Sequence, residues 1–123
     1  MKRLILISIL LLSRPVHADH LPEKHYQAEW CDAQQGVTEY VLPDKTRCDC
    51  LTDDHSVEFD FGKKWAESIG QSLYYSLQTG KRAGIVLILE TPAERRFWIR
   101  LNSTIEHFKL PIDTWQTGAG AAQ

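Results

Sequence analysis

Residues 47–75 read RCDCLTDDHSVEFDFGKKWAESIGQSLYY. The pattern predicts a strand, a turn over Thr52-Asp53-Asp54-His55, a second strand over Ser56–Phe61, and a helix over Gly62–Thr79. Val57, Phe59 and Phe61 alternate with Glu58 and Asp60. A strand repeats its side-chain direction every two residues, so the apolar trio shares one face and the carboxylates the other. By the same period Asp49 points away from Cys48 and Cys50, which share a face. In the helix, at about 100° per residue, Lys64, Ser68, Gln71 and Tyr75 fall on one stripe. Trp65, Ala66, Ile69, Leu73 and Leu77 fall opposite, as the expected core face.

Working outward, Val37–Leu42 alternates as a strand, and Pro43-Asp44-Lys45 is a hairpin turn leading into the strand over Thr46–Leu51. The three strands form an antiparallel meander. Upstream, His20–Gln35 reads as a short helix with Pro22 in its first turn and Gly36 as C-cap. Downstream, Gly80 closes the long helix. Residues 84–90, GIVLILE, are nearly continuous in apolar and β-branched residues, as in a strand buried on both faces. Thr91, Pro92 and Glu94 resemble a capping box for a helix whose core stripe is Phe97, Trp98, Leu101, Ile105 and Phe108. Leu110–Trp115 is a short last strand, and 116–123 a flexible tail. The order α-β-β-β-α-β-α-β predicts an α/β fold with a mixed sheet and helices on both faces.

Residues 1–18 have the form of a secretory signal. Lys2 and Arg3 precede the apolar run Leu4–Leu12, and Val16-His17-Ala18 fits a cleavage site before Asp19. The run is too short to span a membrane, and no later segment could, so no membrane contact is expected after cleavage. Residues 19–115 then form one domain. The chain carries a formal net charge of −2; without Lys2, Arg3 and Arg14, 11 basic residues face 16 acidic ones, a net of −5. That balance argues against a strongly basic nucleic-acid binder and leaves only a local basic patch as a route to polyanions. Export to the periplasm or medium permits a disulfide. Cys31 can pair with Cys48 or Cys50, or all three can be small buried side chains. Cys48-x-Cys50 lacks the spacing of a redox motif or a four-ligand zinc site. His20 and His25 fit solvated residues better than a metal pair.

If the first two strands of the quoted stretch pair, Asp49 and Glu58 converge. Carboxylates held together need a proton or a cation between them, and their hard oxygens suit Mg2+ or Mn2+. Asp60 shares the face of Glu58 and is a further ligand candidate, as is Glu39 on the strand paired with that of Asp49. Each also fits an ordinary solvated strand residue.

An aspartate, an acidic residue at the head of a triplet on the next strand, and a helix carrying Gln-x-x-x-Tyr together resemble the PD-(D/E)XK nuclease superfamily, the restriction-endonuclease-like fold. Asp49 matches its first metal-binding aspartate, Glu58 its (D/E) position, and Gln71 and Tyr75 its helix motif. Asp60 stands where the family lysine falls. Some members carry that lysine on the following helix, where Lys64 is placed; Lys63 points toward Glu67 as an i,i+4 pair. The resemblance covers roughly Glu39–Glu90. It implies an αβββαβ core, here with an added C-terminal helix and strand, and phosphodiester hydrolysis with Mg2+ or Mn2+ held by Asp49 and Glu58. The implied substrate is a nucleic acid. A catalytically silent binding or inhibitor domain on the same scaffold is the alternative, and the oligomeric state stays open.

Overall fold

Val57 and Phe59 on one strand and Ala83–Leu89 on its neighbour are fully buried, and two apolar layers are built on them. The computed structural model describes residues 20–122; the signal sequence expected over 1–18 lies outside them. The elements are α1 (Glu23–Ala33), β1 (Val37–Val41), β2 (Arg47–Leu51), β3 (His55–Phe61), α2 (Trp65–Thr79), β4 (Arg82–Ile88), α3 (Arg95–Phe108) and β5 (Ile112–Thr117). Single 3-10 turns over Gly62–Lys64 and Pro92–Glu94 lead into α2 and α3. No helix among the described residues is long and apolar enough to cross a membrane.

The five strands lie in sequence order in one mixed sheet. β1, β2 and β3 are an antiparallel meander, while β4 and β5 run parallel to β3. The chain is therefore an α/β protein with a mixed sheet. Parallel neighbours need a crossover, and α2 and α3 supply it. α1 covers one face, where Tyr26 and Trp30 pack on Val57, Phe59, Val86 and Ile88. α2 and α3 cover the other, where Trp65, Ile69, Leu73 and Leu101 pack on Ala83, Ile85 and Leu87.

Trp65, Ile69 and Leu73 of the expected α2 core face pack inward, but the most deeply buried positions lie to one side of it. Ser68, Ser72 and Tyr75 are its buried residues, whereas Leu77 is 79% exposed and Ala66 and Gln71 are also exposed. The serines satisfy themselves: Ser68 Oγ donates to Trp65 O at 2.7 Å and Ser72 Oγ to Ile69 O at 3.1 Å. A small hydroxyl that bonds its own helix can be buried without an orphaned polar group. In α3, Phe108 of the expected core stripe is 68% exposed.

Three local expectations also change. Gln35, not Gly36, takes the left-handed conformation after α1 (φ 57°). Gly36 is required by space instead: a Cβ there would lie 2.7 Å from the sulfur atoms of both Cys31 and Cys50. The Thr91 side chain makes no capping bond; Glu94 Oε2 instead accepts the Glu90 N–H at 2.7 Å. Finally, β5 continues to Thr117, and Gly120 is buried with its N–H donating to Leu89 O at 2.8 Å. The tail expected from 116 is thus pinned beside β4 as far as Gly120.

Candidate functional site

β2 and β3 pair at Cys50↔Val57 and Leu51↔Ser56 and then part. In the gap Asp49 Oδ2, rather than a β2 carbonyl, accepts the Phe59 N–H at 2.7 Å. The other edge of β2 is broken at the same level. β1 pairs with it at Thr38↔Cys50 and Tyr40↔Cys48, but Glu39 between them has φ 52°. This local break reorients successive side chains of β2. Cys50 faces α1 and is bonded to Cys31. Cys48 faces α2, in contact with Leu42 and Tyr75. Contrary to strict alternation, the two side chains therefore do not share a face. Of the three alternatives for Cys31, the structure takes the bond to Cys50; Cys48 remains free and buried. Burial pushes its thiol up to about 11.

The alternation of β3 itself holds: Glu58 and Asp60 lie opposite Phe59. They do not face water. α2 covers their side of the sheet, and they are only 5% and 6% exposed. Asp49, Glu58 and Asp60 lie close enough to act on one another's charge. All three carboxyls are pushed above their ordinary range, burial being the main cause in each. For Glu58 the neighbouring Asp49 and Asp60 add to the shift. Glu58 Oε2 and Asp60 Oδ2 are buried with no hydrogen-bond partner. Such oxygens demand a proton or a cation.

The remaining expected residues divide. Tyr75 is buried against Cys48, and its hydroxyl is pushed up by burial and then by Glu58. Glu39 lies close enough to Asp49 to raise it electrostatically. Lys64 is exposed at the N-terminus of α2, close enough to lower Asp60 and Glu23. It is not part of any ion pair among the described residues. Gln71 is exposed on α2 and is not among its buried residues. Sequence reasoning missed Glu23, in the first turn of α1. Its charge reaches Asp49, Glu58 and Asp60, and its own carboxyl is raised by burial. Only the long-range packing of α1 on the sheet places it there, and no local motif marks it.

The chemistry of the donors, hard carboxylate oxygens with two unsatisfied, fits a divalent cation such as Mg2+ or Mn2+. As they stand, no group of three or more His, Cys, Asp or Glu among the described residues is arranged to enclose an ion. Mg2+ is commonly held by one or two carboxylates, with water and substrate phosphate completing its shell. Comparison with known proteins finds no matching family model, no matching characterised protein and no matching solved structure.

Proposed function

We propose that the chain is a divalent-cation-dependent phosphodiesterase on a PD-(D/E)XK-like scaffold, acting on nucleic acid outside the cytoplasm. The observation that carries this reading is the meeting of Asp49 and Glu58 at the parting of β2 and β3, with a buried Glu58 oxygen left without a donor. The element order also agrees with the αβββαβ core that the resemblance implies, and the Cys31–Cys50 disulfide favours an oxidising compartment.

Asp49 and Glu58 would hold Mg2+ or Mn2+, with water and substrate phosphate completing its shell, and Asp60 would add negative charge beside them. When bound, such an ion polarises a phosphoryl oxygen and lowers the pKa of water. Lys64 offsets negative charge at the open side of the cluster, as its effect on Asp60 supports. Tyr75 closes the side facing α2. The Phe59 N–H fixes one oxygen of Asp49 and leaves the other to face its partners.

The test is cleavage of labelled single- and double-stranded DNA and RNA with Mn2+ or Mg2+, alongside Glu58→Gln. Cleavage by the wild-type chain and none by the variant is expected, as is a rise in melting temperature with Mn2+ for wild type alone. Absence of both effects in folded protein would overturn the reading. It would favour the silent binding domain, which the exposed Gln71 and the acidic Asp60 in place of a strand lysine also favour.

A further inference from the structure

The 3-10 turn that follows Asp60 carries Lys63 and Lys64, both exposed. It is packed directly on the N-terminal part of α3: a Cβ on Gly62 would lie 2.9 Å from the Phe97 ring. Two further cations gather on the same ring. The Arg96 guanidinium lies 4.4 Å from its centroid and that of Arg100 5.7 Å. Phe97 thus joins the two lysines to the two arginines in one surface band that starts beside the carboxylate cluster.

The charges along this band are unequally engaged. A cleft of about 370 Å3 beside the turn is lined by Glu23, Glu90 and Glu94 as well as by Lys63 and Lys64. Each of these acids has a hydrogen-bonding partner, but Glu94 and Glu23 accept from neutral amides and keep their charge. Glu90 pairs with His20, Glu94 accepts the Glu90 N–H, and Glu23 accepts from the Gln27 amide. The four cations have no carboxylate partner in any ion pair among the described residues. Arg96 donates only to the Ala93 carbonyl of its own turn. An acidic chain that leaves four neighbouring cations without a direct ion pair, two of them held over an aromatic ring, presents a local site for a polyanion.

We propose that Lys63, Lys64, Arg96 and Arg100 form the track for the sugar-phosphate backbone of a nucleic-acid strand, which they lead to the Asp49–Glu58 cluster. The proposal rests on the reading of that cluster as a phosphodiesterase site for its purpose, though not for the binding itself. Arginine forks suit phosphate oxygens bidentately, and the lysines act as point charges nearer the carboxylates. Neutralising Z phosphates of a single strand makes log affinity fall against log salt with a slope of about −0.7Z. Four contacts give a slope of about −3.

The experiment uses the full chain carrying Glu58→Gln, a fluorescein-labelled single-stranded DNA oligonucleotide, and anisotropy titrations in EDTA at several salt concentrations. Binding with a slope near −3 is expected. Arg96→Glu with Arg100→Glu should weaken it at least about tenfold and reduce the slope by about 1.4. Lys45→Glu, in the β1–β2 turn, should leave it unchanged. Because both arginines are exposed, circular dichroism of the reversed variant should match the parent. If the parent does not bind, or binds equally well with both arginines reversed, the proposal is overturned. The same double reversal on the wild-type background separates the two readings. Binding through the band without cleavage defeats the phosphodiesterase reading alone. Cleavage with KM unaffected by the reversal defeats the band alone.

Discussion

Asp49 Oδ2 accepts the backbone N–H of Phe59 at 2.7 Å, where a strand carbonyl would ordinarily serve. The side chain thus repairs the sheet at the point where β2 and β3 part, in addition to any part in chemistry. Asp49→Ala should lose about 1–3 kcal/mol, the cost of orphaning a buried donor. Asp49→Asn keeps an accepting oxygen and should lose less. Urea unfolding of both variants in EDTA checks this; equal losses would show that the bond contributes little.

The buried carboxyls set a pH dependence of unusual sign. Glu58 and Asp60 are raised by burial first, Glu58 then by Asp49 and Asp60 by Glu23. A raised folded-state pKa gives stability that is complete below the unfolded value near 4 and is lost as pH rises through the folded one. In EDTA the melting temperature should therefore fall as pH rises from about 4, through about 7 for Asp60 and on toward about 11 for Glu58. Glu58→Gln with Asp60→Asn should flatten that fall. Asp113 works in the opposite direction: the Arg82 hydrogen bond lowers it, and its contribution disappears on acidification. Thermal melts across pH for wild type, the double variant and Asp113→Asn separate the two effects.

The Cys31–Cys50 bond closes a sequence separation of 19 residues, for which loop entropy gives about 3 kcal/mol. Gly36 is the residue that makes room for it. Gly36→Ala should cost about 1–3 kcal/mol through overpacking. Most of that cost should vanish in a Cys31→Ala, Cys50→Ala background, where the sulfur atoms are gone. A double-mutant cycle by thermal unfolding measures the coupling, and simple additivity would contradict it.

Leu77 in α2 and Leu101 in α3 were both expected in the core, and only Leu101 is there. Leu77 is 79% exposed and Leu101 fully buried. Leu101→Ala should lose about 2–5 kcal/mol, and Leu77→Ala should stay within about 0.5 kcal/mol. A larger loss at Leu77 would show that this position is buried as its hydrophobicity alone predicts.

That contrast shows where the chain was legible. The unbroken apolar run before Glu90 and the alternation over Val57–Phe61 announce their strands, because backbone period and burial there act in the same sense. The face of α2 was legible only in part: Trp65, Ile69 and Leu73 pack inward as expected, and Ala66 and Leu77 do not. Leu77 and Ala66 outrank Ser68 and Ser72 on any apolar scale, yet the serines bond their own helix and fit close to the sheet. Cys48 and Cys50 were assigned one face because a period of two assumes an unbroken strand, and the break at Glu39 is a tertiary event. The nearness of Asp49 and Glu58 followed from strand pairing alone. Their covering by α2 and the arrival of Glu23 required the packed helices.

The left-handed Glu39 has one more effect, on how molecules of this protein meet. β1 is the outer strand of the sheet and shows Val37, Tyr40 and Val41 to solvent. A flat apolar edge of that kind is a template on which another chain can add a strand. A half-buried charged residue with φ 52° at its midpoint interrupts the row of donors and acceptors. The kink beside the carboxylate cluster thereby leaves this edge without a continuous ladder on which another strand could add.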